Sequence, residues 1–136
     1  MMEGLLLDTN HLSAALRPVS SVRDRIEHRR RTGSRIGTCV PVLCELEVGI
    51  RQFRRQQEVR LDLRSLMTQV RVWPIDHSIV TSYGEIASDL CRRGRVLSQV
   101  DMMLAALAKI MDLTILTADR DFEALLEIRT EDWTTS

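Results

Sequence analysis

The sequence predicts an α/β protein, a parallel sheet flanked by helices in a single domain. Three observations carry this. Leu5-Leu6-Leu7 and Leu113-Thr114-Ile115-Leu116-Thr117 are short apolar runs of the kind that lie buried on both faces of a parallel sheet. Further strand patterns alternate along the chain with stretches whose apolar residues recur at helical spacing. Both runs also lead into a carboxylate, Asp8 after the first and Asp119 after the last. The carboxyl ends of strands are where open parallel sheets gather their ligands.

Composition sets the outer limits. A chain of 136 residues is sized for one domain that buries about 70% of its unfolded surface. With 44% hydrophobic and 28% charged residues it has the make-up of a globular protein. Formal net charge is zero, so no global field announces a nucleic-acid partner. Of the 19 basic residues, however, all but Lys109 are arginine and many are clustered, so local patches can be hidden by the total. Cys39, Cys44 and Cys91 form no C-x-x-C pair, which points away from zinc and from a disulfide framework. They are expected to be buried small hydrophobes in a reducing compartment. The N-terminal apolar run is too short for a signal peptide, and nothing approaches the roughly 18 apolar residues of a membrane span. The expectation is a cytoplasmic protein with no membrane partner.

Asp8-Thr9-Asn10 follows the first strand, and a short helix is expected over His11–Leu16. Capping that helix is an alternative role for Asp8. Ser20 or Ser21 should cap a second helix running to about Arg31, with Val22 and Ile26 on one face and a basic end at His28-Arg29-Arg30-Arg31. Arg35–Val40 reads as the second strand, and Pro41 stands where a first helical turn tolerates proline. The helix that follows, Val42–Ile50, is apolar nearly all round and is expected to be largely buried. On it Glu45 would need a partner, Gly49 would permit close packing one turn on, and Glu47 would point to solvent about 200° away.

Arg51–Gln69 reads as an amphipathic helix or helix pair through Phe53, Val59, Leu63 and Leu66. Val70–Ile75 reads as a strand at a sheet edge, closed by Pro74. Asp76 should cap a helix through Ile79, Tyr83, Ile86, Ala87 and Leu90, stopped at Gly94. Ser98-Gln99-Val100-Asp101 opens another apolar helix, and there Asp101 also fits a capping box. Ile128–Trp133 is expected to be a last edge strand or a tail.

Four acids thus fall in equivalent settings. Asp8 and Asp119 follow strands; Glu45 and Asp101 lie in the first turns of helices. Right-handed crossovers would bring all four to one sheet edge. Carboxylates so gathered raise one another's pKa, and a hard oxygen-liking cation, Mg2+ or Mn2+, relieves that repulsion. Such a centre suits phosphodiester hydrolysis without a histidine base.

The chain resembles the PIN-domain ribonucleases, in particular the VapC-type toxins of bacterial and archaeal toxin–antitoxin pairs. The resemblance rests on Leu-Leu-Asp-Thr-Asn at 6–10, Glu-Leu-x-x-Gly-Ile at 45–50, Asp-x-x-x-Ala-Ala at 101–106, Leu-Thr-Ala-Asp-Arg-Asp-Phe at 116–122 and Arg-Thr-Glu-Asp-Trp at 129–133. It implies a PIN domain over 1–136 and metal-dependent endoribonuclease activity on cellular RNA such as tRNA or rRNA. It also implies a homodimer and a VapB-like antitoxin. Carried onto this chain, Asp8, Glu45, Asp101 and Asp119 would bind the metal or orient water, with Thr9, Asn10 and Thr117 supporting them. Asp121 is the alternative to Asp119, which is preferred because Phe122, Leu125 and Leu126 have helical spacing that puts Asp119 at or near the cap and turns Phe122 toward the core, leaving Asp121 a first-turn charge that favours the helix dipole. Arg51, Arg54, Arg55, Arg92, Arg93 and Arg95 are candidates for RNA phosphates. His11 is expected to be a surface or structural residue.

Other acid-bearing folds fit less well. A haloacid-dehalogenase phosphatase needs a second aspartate where Asn10 stands. A phosphorylated receiver domain needs a lysine after a late strand, whereas Lys109 lies in a helix. A non-catalytic module that docks a basic partner would have no need of all four acids. A deoxyribonuclease would use the same metal chemistry.

Overall fold

In the computed structural model, which describes residues 2–135, the strands are β1 (Gly4–Leu7), β2 (Arg35–Cys39), β3 (Arg71–Trp73), β4 (Thr114–Leu116) and β5 (Thr130–Glu131). They form one five-stranded sheet in the order β3-β2-β1-β4-β5, every pair parallel. The helices are α1 (Thr9–Ala14), α2 (Ser21–Arg31), α3 (Val40–Ile50), α4 (Gln56–Leu66), α5 (Val80–Arg92) and α6 (Gln99–Met111). Two 3₁₀ turns, His77–Ile79 and Arg120–Ala124, complete the elements. Among the described residues no helix is long and apolar enough to cross a membrane.

β1 lies at the centre because it is the most apolar strand, and Gly4–Leu7 are all buried. Its two neighbours cover both of its edges: Leu6 is in register with Gly37 on one side and Ile115 on the other. Gly37 is required by packing. A Cβ there would stand 2.7 Å from the Trp73 ring on the adjoining strand. Trp73 lies in the edge strand β3, as expected from the proline that follows it. The core continues through Ile26 of α2, Val42, Leu46 and Ile50 of α3, Leu90 of α5 and Leu104 to Ala108 of α6.

The caps follow the sequence signals closely. Ser20 Oγ accepts from Arg23 N–H, Asp76 from Ser78 N–H and Ser98 Oγ from Asp101 N–H. Gly94 takes the left-handed conformation after α5. Asp112 does the same after α6, with φ of 56°, a role more often filled by glycine.

Several expectations are corrected. α3 buries one stripe only: Val42, Leu46 and Ile50 are inside, while Val40 and Val48 are 51% and 62% exposed. Glu45 is exposed, and nothing lies within 4 Å of the place a Cβ would take on Gly49, so no helix packs closely there. An apolar helix surface needs a partner, but the partner need not belong to the same chain. The stretch 51–69 turns over Arg51–Arg55 before α4 begins, leaving Phe53 and Leu61 exposed. Of the cysteines only Cys39 is buried; Cys44 and Cys91 are exposed and all are free thiols. Burial, opposed by the Val42 backbone hydrogen bond and aided by the nearby Glu45 charge, pushes Cys39 up to about 11. That thiol is inert, as a buried structural cysteine should be.

Candidate active site

The parallel sheet brings the four acids to its carboxyl edge by different routes. Asp8 directly follows β1, and its N–H still donates to Leu116 O of β4 at 3.1 Å. The adjoining β2 secures the same corner, where buried Thr38 donates its hydroxyl to Leu7 O at 3.1 Å. Asp8 then caps α1, its Oδ1 accepting from His11 N–H at 2.8 Å. Capping and site membership, posed as alternatives by the sequence, coexist in one side chain. Asp8 is 6% exposed.

Glu45 lies in α3, and Thr9 at the start of α1 donates its hydroxyl to Glu45 Oε1 at 2.5 Å. This contact ties the second acid to the residue next to the first. Asp101 stands in the first turn of α6 on a backbone secured by Ser98. Asp119 caps the 3₁₀ turn after β4, its Oδ1 accepting from Asp121 N–H at 2.9 Å. Its own N–H donates to Thr117 Oγ1 at 3.0 Å. Thr9 and Thr117 thus contact acids directly. Asn10 is exposed and lines a different groove, beside Ser13, Arg17 and Phe53.

Electrostatics show that the four are neighbours. Asp101 is held above the ordinary carboxylate range, first by burial, which the Ser98 hydrogen bond opposes, and then by the charges of Asp119, Glu45 and Asp8. Three acids from three other elements thus stand within reach of one carboxyl's charge. The acids do not form a closed cage. Among the described residues, no group of three His, Cys, Asp or Glu side chains is arranged to hold one metal ion. Hydrogen bonds fall on a single oxygen of Asp8, Glu45 and Asp119, leaving Oδ2, Oε2 and Oδ2 without a partner among the described residues.

Asp121 is exposed and supplies its backbone N–H to Asp119. Phe122 turns into the core at 2% exposure, as its spacing required. The segment is a 3₁₀ turn and not the expected α-helix, and Leu126 is 91% exposed. A five-residue 3₁₀ turn has little aligned dipole, so Asp121 has no helix dipole to favour.

The arginines divide into two groups. Arg92, Arg93 and Arg95 lie at or beyond the end of α5, in the connection that leads into α6 and Asp101. Arg93 pairs with Asp89 at 2.7 Å and donates to Ala124 O at 2.6 Å, and Arg92 pairs with Asp89 at 3.5 Å. Arg51, Arg54 and Arg55 lie beyond the other end of α3; six residues separate Arg51 from Glu45, about 9 Å along a helix axis. There Arg51 pairs with Glu47 at 2.9 Å and Arg55 with Glu58 at 3.7 Å. Glu47 also binds Arg60, and these two arginines lower its carboxyl to about 2.

His11 is the residue whose place the sequence conceals. It is fully buried, and its Nδ1 stands 3.1 Å from Asp8 Oδ1. On the other side of the ring, Nε2 accepts from Trp133 N–H at 2.9 Å. The structural expectation for His11 is met and the surface one is not. Trp133 is a residue 122 positions away, and no local pattern foretells the pairing.

The profile of the PIN domain family matches residues 5–126. A tRNA(fMet)-specific endonuclease VapC of Shigella flexneri is 28% identical over 130 residues, which cover 94% of this chain and 96% of that protein. Among solved structures, VapBC2 of Rickettsia felis bound to a promoter DNA fragment superposes with a TM-score of 0.86 at 20% identity, covering 96% of this chain and 98% of that one. DNA-bound VapBC of Salmonella typhimurium gives 0.83 at 24% identity, covering 98% and 99%. The fold, the order of its elements and the profile match agree: the chain belongs to the PIN domain family.

Proposed function

We propose that this chain is a VapC-type toxin, a cytoplasmic endoribonuclease that uses Mg2+ or Mn2+ to hydrolyse phosphodiester bonds of cellular RNA and is silenced by a small VapB-like antitoxin. The observation that carries the proposal is the acidic edge itself, where Thr9, next to Asp8, holds Glu45, and where Asp101 is raised first by burial and then by the charges of Asp119, Glu45 and Asp8.

The donor set fits a hard divalent cation. It consists of carboxylate oxygens, of which those of Asp8, Glu45 and Asp119 are each oriented by a hydrogen bond to the other oxygen. Mg2+ keeps several waters and takes one or two carboxylates along with substrate phosphate, so a closed protein cage is not required. When bound, the ion would supply a water deprotonated near neutral pH and positive charge facing the phosphate. Asp8 and Asp101 would anchor it, with Glu45 and Asp119 binding it or orienting the attacking water. Thr9 would hold Glu45 in place and Thr117 the turn that presents Asp119. Hydrolysis then adds water across one P–O bond and releases the strand's two ends.

Arg92, Arg93 and Arg95, in the connection that leads into α6 and Asp101, and Arg51, Arg54 and Arg55, after α3, are the candidates for flanking phosphates. The acidic edge is complementary to an inserted Arg or Lys, which gives an antitoxin a means of blocking the groove. The exposed apolar residues of α3 and the segment after it, Val40, Val48, Phe53 and Leu61, offer surface for an antitoxin or for a second copy in a homodimer.

Sequencing of RNA 5′ ends after brief expression tests this proposal. Discrete new ends in one tRNA or rRNA loop, absent with Asp8→Asn and suppressed by co-expression of the adjacent small open reading frame, are the expected result. Unchanged RNA ends and undisturbed growth would refute the toxin reading.

A further inference from the structure

We infer that His11 is a positioning residue for the acidic centre: it holds the Asp8 carboxylate in one orientation and makes that orientation depend on the C-terminal segment. The inference rests on the metal-binding reading of Asp8 given above.

The hydrogen bonds settle the state of the ring. Nε2 accepts a hydrogen bond from the Trp133 backbone N–H at 2.9 Å, so it carries no hydrogen of its own. The neutral imidazole therefore has its hydrogen on Nδ1, which lies 3.1 Å from Asp8 Oδ1 and donates to it. Asp8 Oδ1 accepts two hydrogen bonds from the same residue, one from the His11 backbone N–H and one from its ring. Two donors on one oxygen fix the plane of the carboxylate and leave Oδ2 for a ligand.

The other end of the relay is equally well fixed. Trp133 is 2% exposed, and its ring is covered by the guanidinium groups of Arg25 at 4.6 Å and Arg29 at 5.3 Å. Its indole N–H donates to Glu131 Oε2 at 3.0 Å, within β5. Asp132 Oδ1 also lies 3.5 Å from Nε2, but two acceptors face each other there and no hydrogen bond joins them. A packing histidine would need none of this. A fully buried imidazole joined on one side to a carboxylate and on the other to a distant backbone has the form of the outer partner that orients a metal-binding acid.

The test compares Mn2+ binding, by calorimetry and by the free-Mn2+ electron paramagnetic resonance signal, in the full-length wild-type chain and three variants. In His11→Asn the amide nitrogen takes the place of Nδ1 and preserves the donation to Asp8. In His11→Gln it falls nearer the place of Nε2, and in His11→Leu no donor remains. We expect His11→Asn to bind Mn2+ within about threefold of wild type, and the Gln and Leu variants to bind about tenfold or more weakly, the usual cost of losing such a partner. Melting temperatures are recorded alongside. A residue that only packs would rank the variants by stability, with Leu best suited to the apolar surroundings, and affinity would follow that order. Wild-type affinity in a folded Gln or Leu variant, or affinity that tracks melting temperature, overturns the inference while leaving the metal centre intact. No Mn2+ binding by the wild-type chain overturns the metal centre and this inference together.

Discussion

Asp8 and Asp119 follow adjacent strands, the first directly after β1 and the second three positions past the end of β4, and the chain treats them differently. Both follow a buried apolar run, and both use Oδ1 to cap the turn that comes next, at 2.8 and 2.9 Å. Asp8 is buried beneath α1 and held by His11, which is held in turn by Trp133. Asp119 is exposed and rests on a 3₁₀ turn, its own side chain engaged, among the described residues, only by the backbone of Asp121. The asymmetry is one of anchorage: one acid is fixed from within the fold, and the other stands exposed on its rim.

The largest expected effect treats the two acids alike. Asp8→Asn and Asp119→Asn should each reduce cleavage more than about 100-fold, beyond what loss of an outer partner costs. Asn caps a helix as well as Asp does, so Asp8→Asn should stay folded. Asp121→Asn should retain most activity. An inactive Asp121→Asn beside an active Asp119→Asn would show that the rim acid has been misidentified.

Stability should then separate them. Asp8→Ala removes a cap, worth about 1 kcal/mol, and strands a buried imidazole donor, worth about 1–3 kcal/mol. A loss of about 2–4 kcal/mol is expected on denaturant unfolding. Asp119→Ala should cost less than about 1 kcal/mol, because its cap is solvated. Equal losses would remove the contrast between sealed and open acids.

A smaller effect concerns the acid between them. The folded-state pKa of Asp101 is raised by burial and by its three acidic neighbours. Its ionised form is therefore disfavoured in the fold, and the stability it contributes is present below the unfolded pKa and lost as pH rises through the folded one. Asp101→Asn should melt slightly higher than wild type without metal at neutral pH, and the gap should close in acid. A lower melting temperature across that range would mean that repulsion at the acidic edge is negligible.

The smallest effect lies outside the site and serves as its control. Glu47, bonded to Arg60 and Arg51, is lowered from 4.5 to about 2. Its stabilisation is present above the unfolded value and lost as pH falls through the folded one. Glu47→Gln should be slightly less stable than wild type at neutral pH, with the difference fading between about 4.5 and about 2 and cleavage unchanged. A difference that grew in acid would contradict the assigned ion pair.

What was legible in the sequence was whatever depends on neighbours along the chain. Leu5–Leu7 was readable as a strand buried on both faces because nothing polar interrupts it, and Asp119 was readable as a cap because Phe122 must turn inward. The settings of Asp8, Asp101 and Asp119 were visible as strand ends and a helix start, whereas Glu45, expected in a first turn, is the sixth residue of α3. The misreadings come from interactions that periodicity cannot see. Apolar residues on α3 were counted as core, although a surface kept for another molecule has the same composition. The end near Asp119 looked α-helical because Phe122 and Leu125 are compatible with either a 3₁₀ turn or a first α turn. His11 carried no local mark, since the group that fixes its tautomer is contributed from the far end of the chain.

The central claim is that the acidic edge is a metal-dependent catalytic centre, and cleavage of RNA by chelator-stripped protein titrated with Mg2+ or Mn2+ tests it most directly. The account predicts no cleavage by the stripped chain, recovery that saturates with added metal, and no recovery for Asp101→Asn at any metal concentration. Full cleavage by rigorously stripped protein, or metal-restored cleavage by the Asp101→Asn variant, would contradict it.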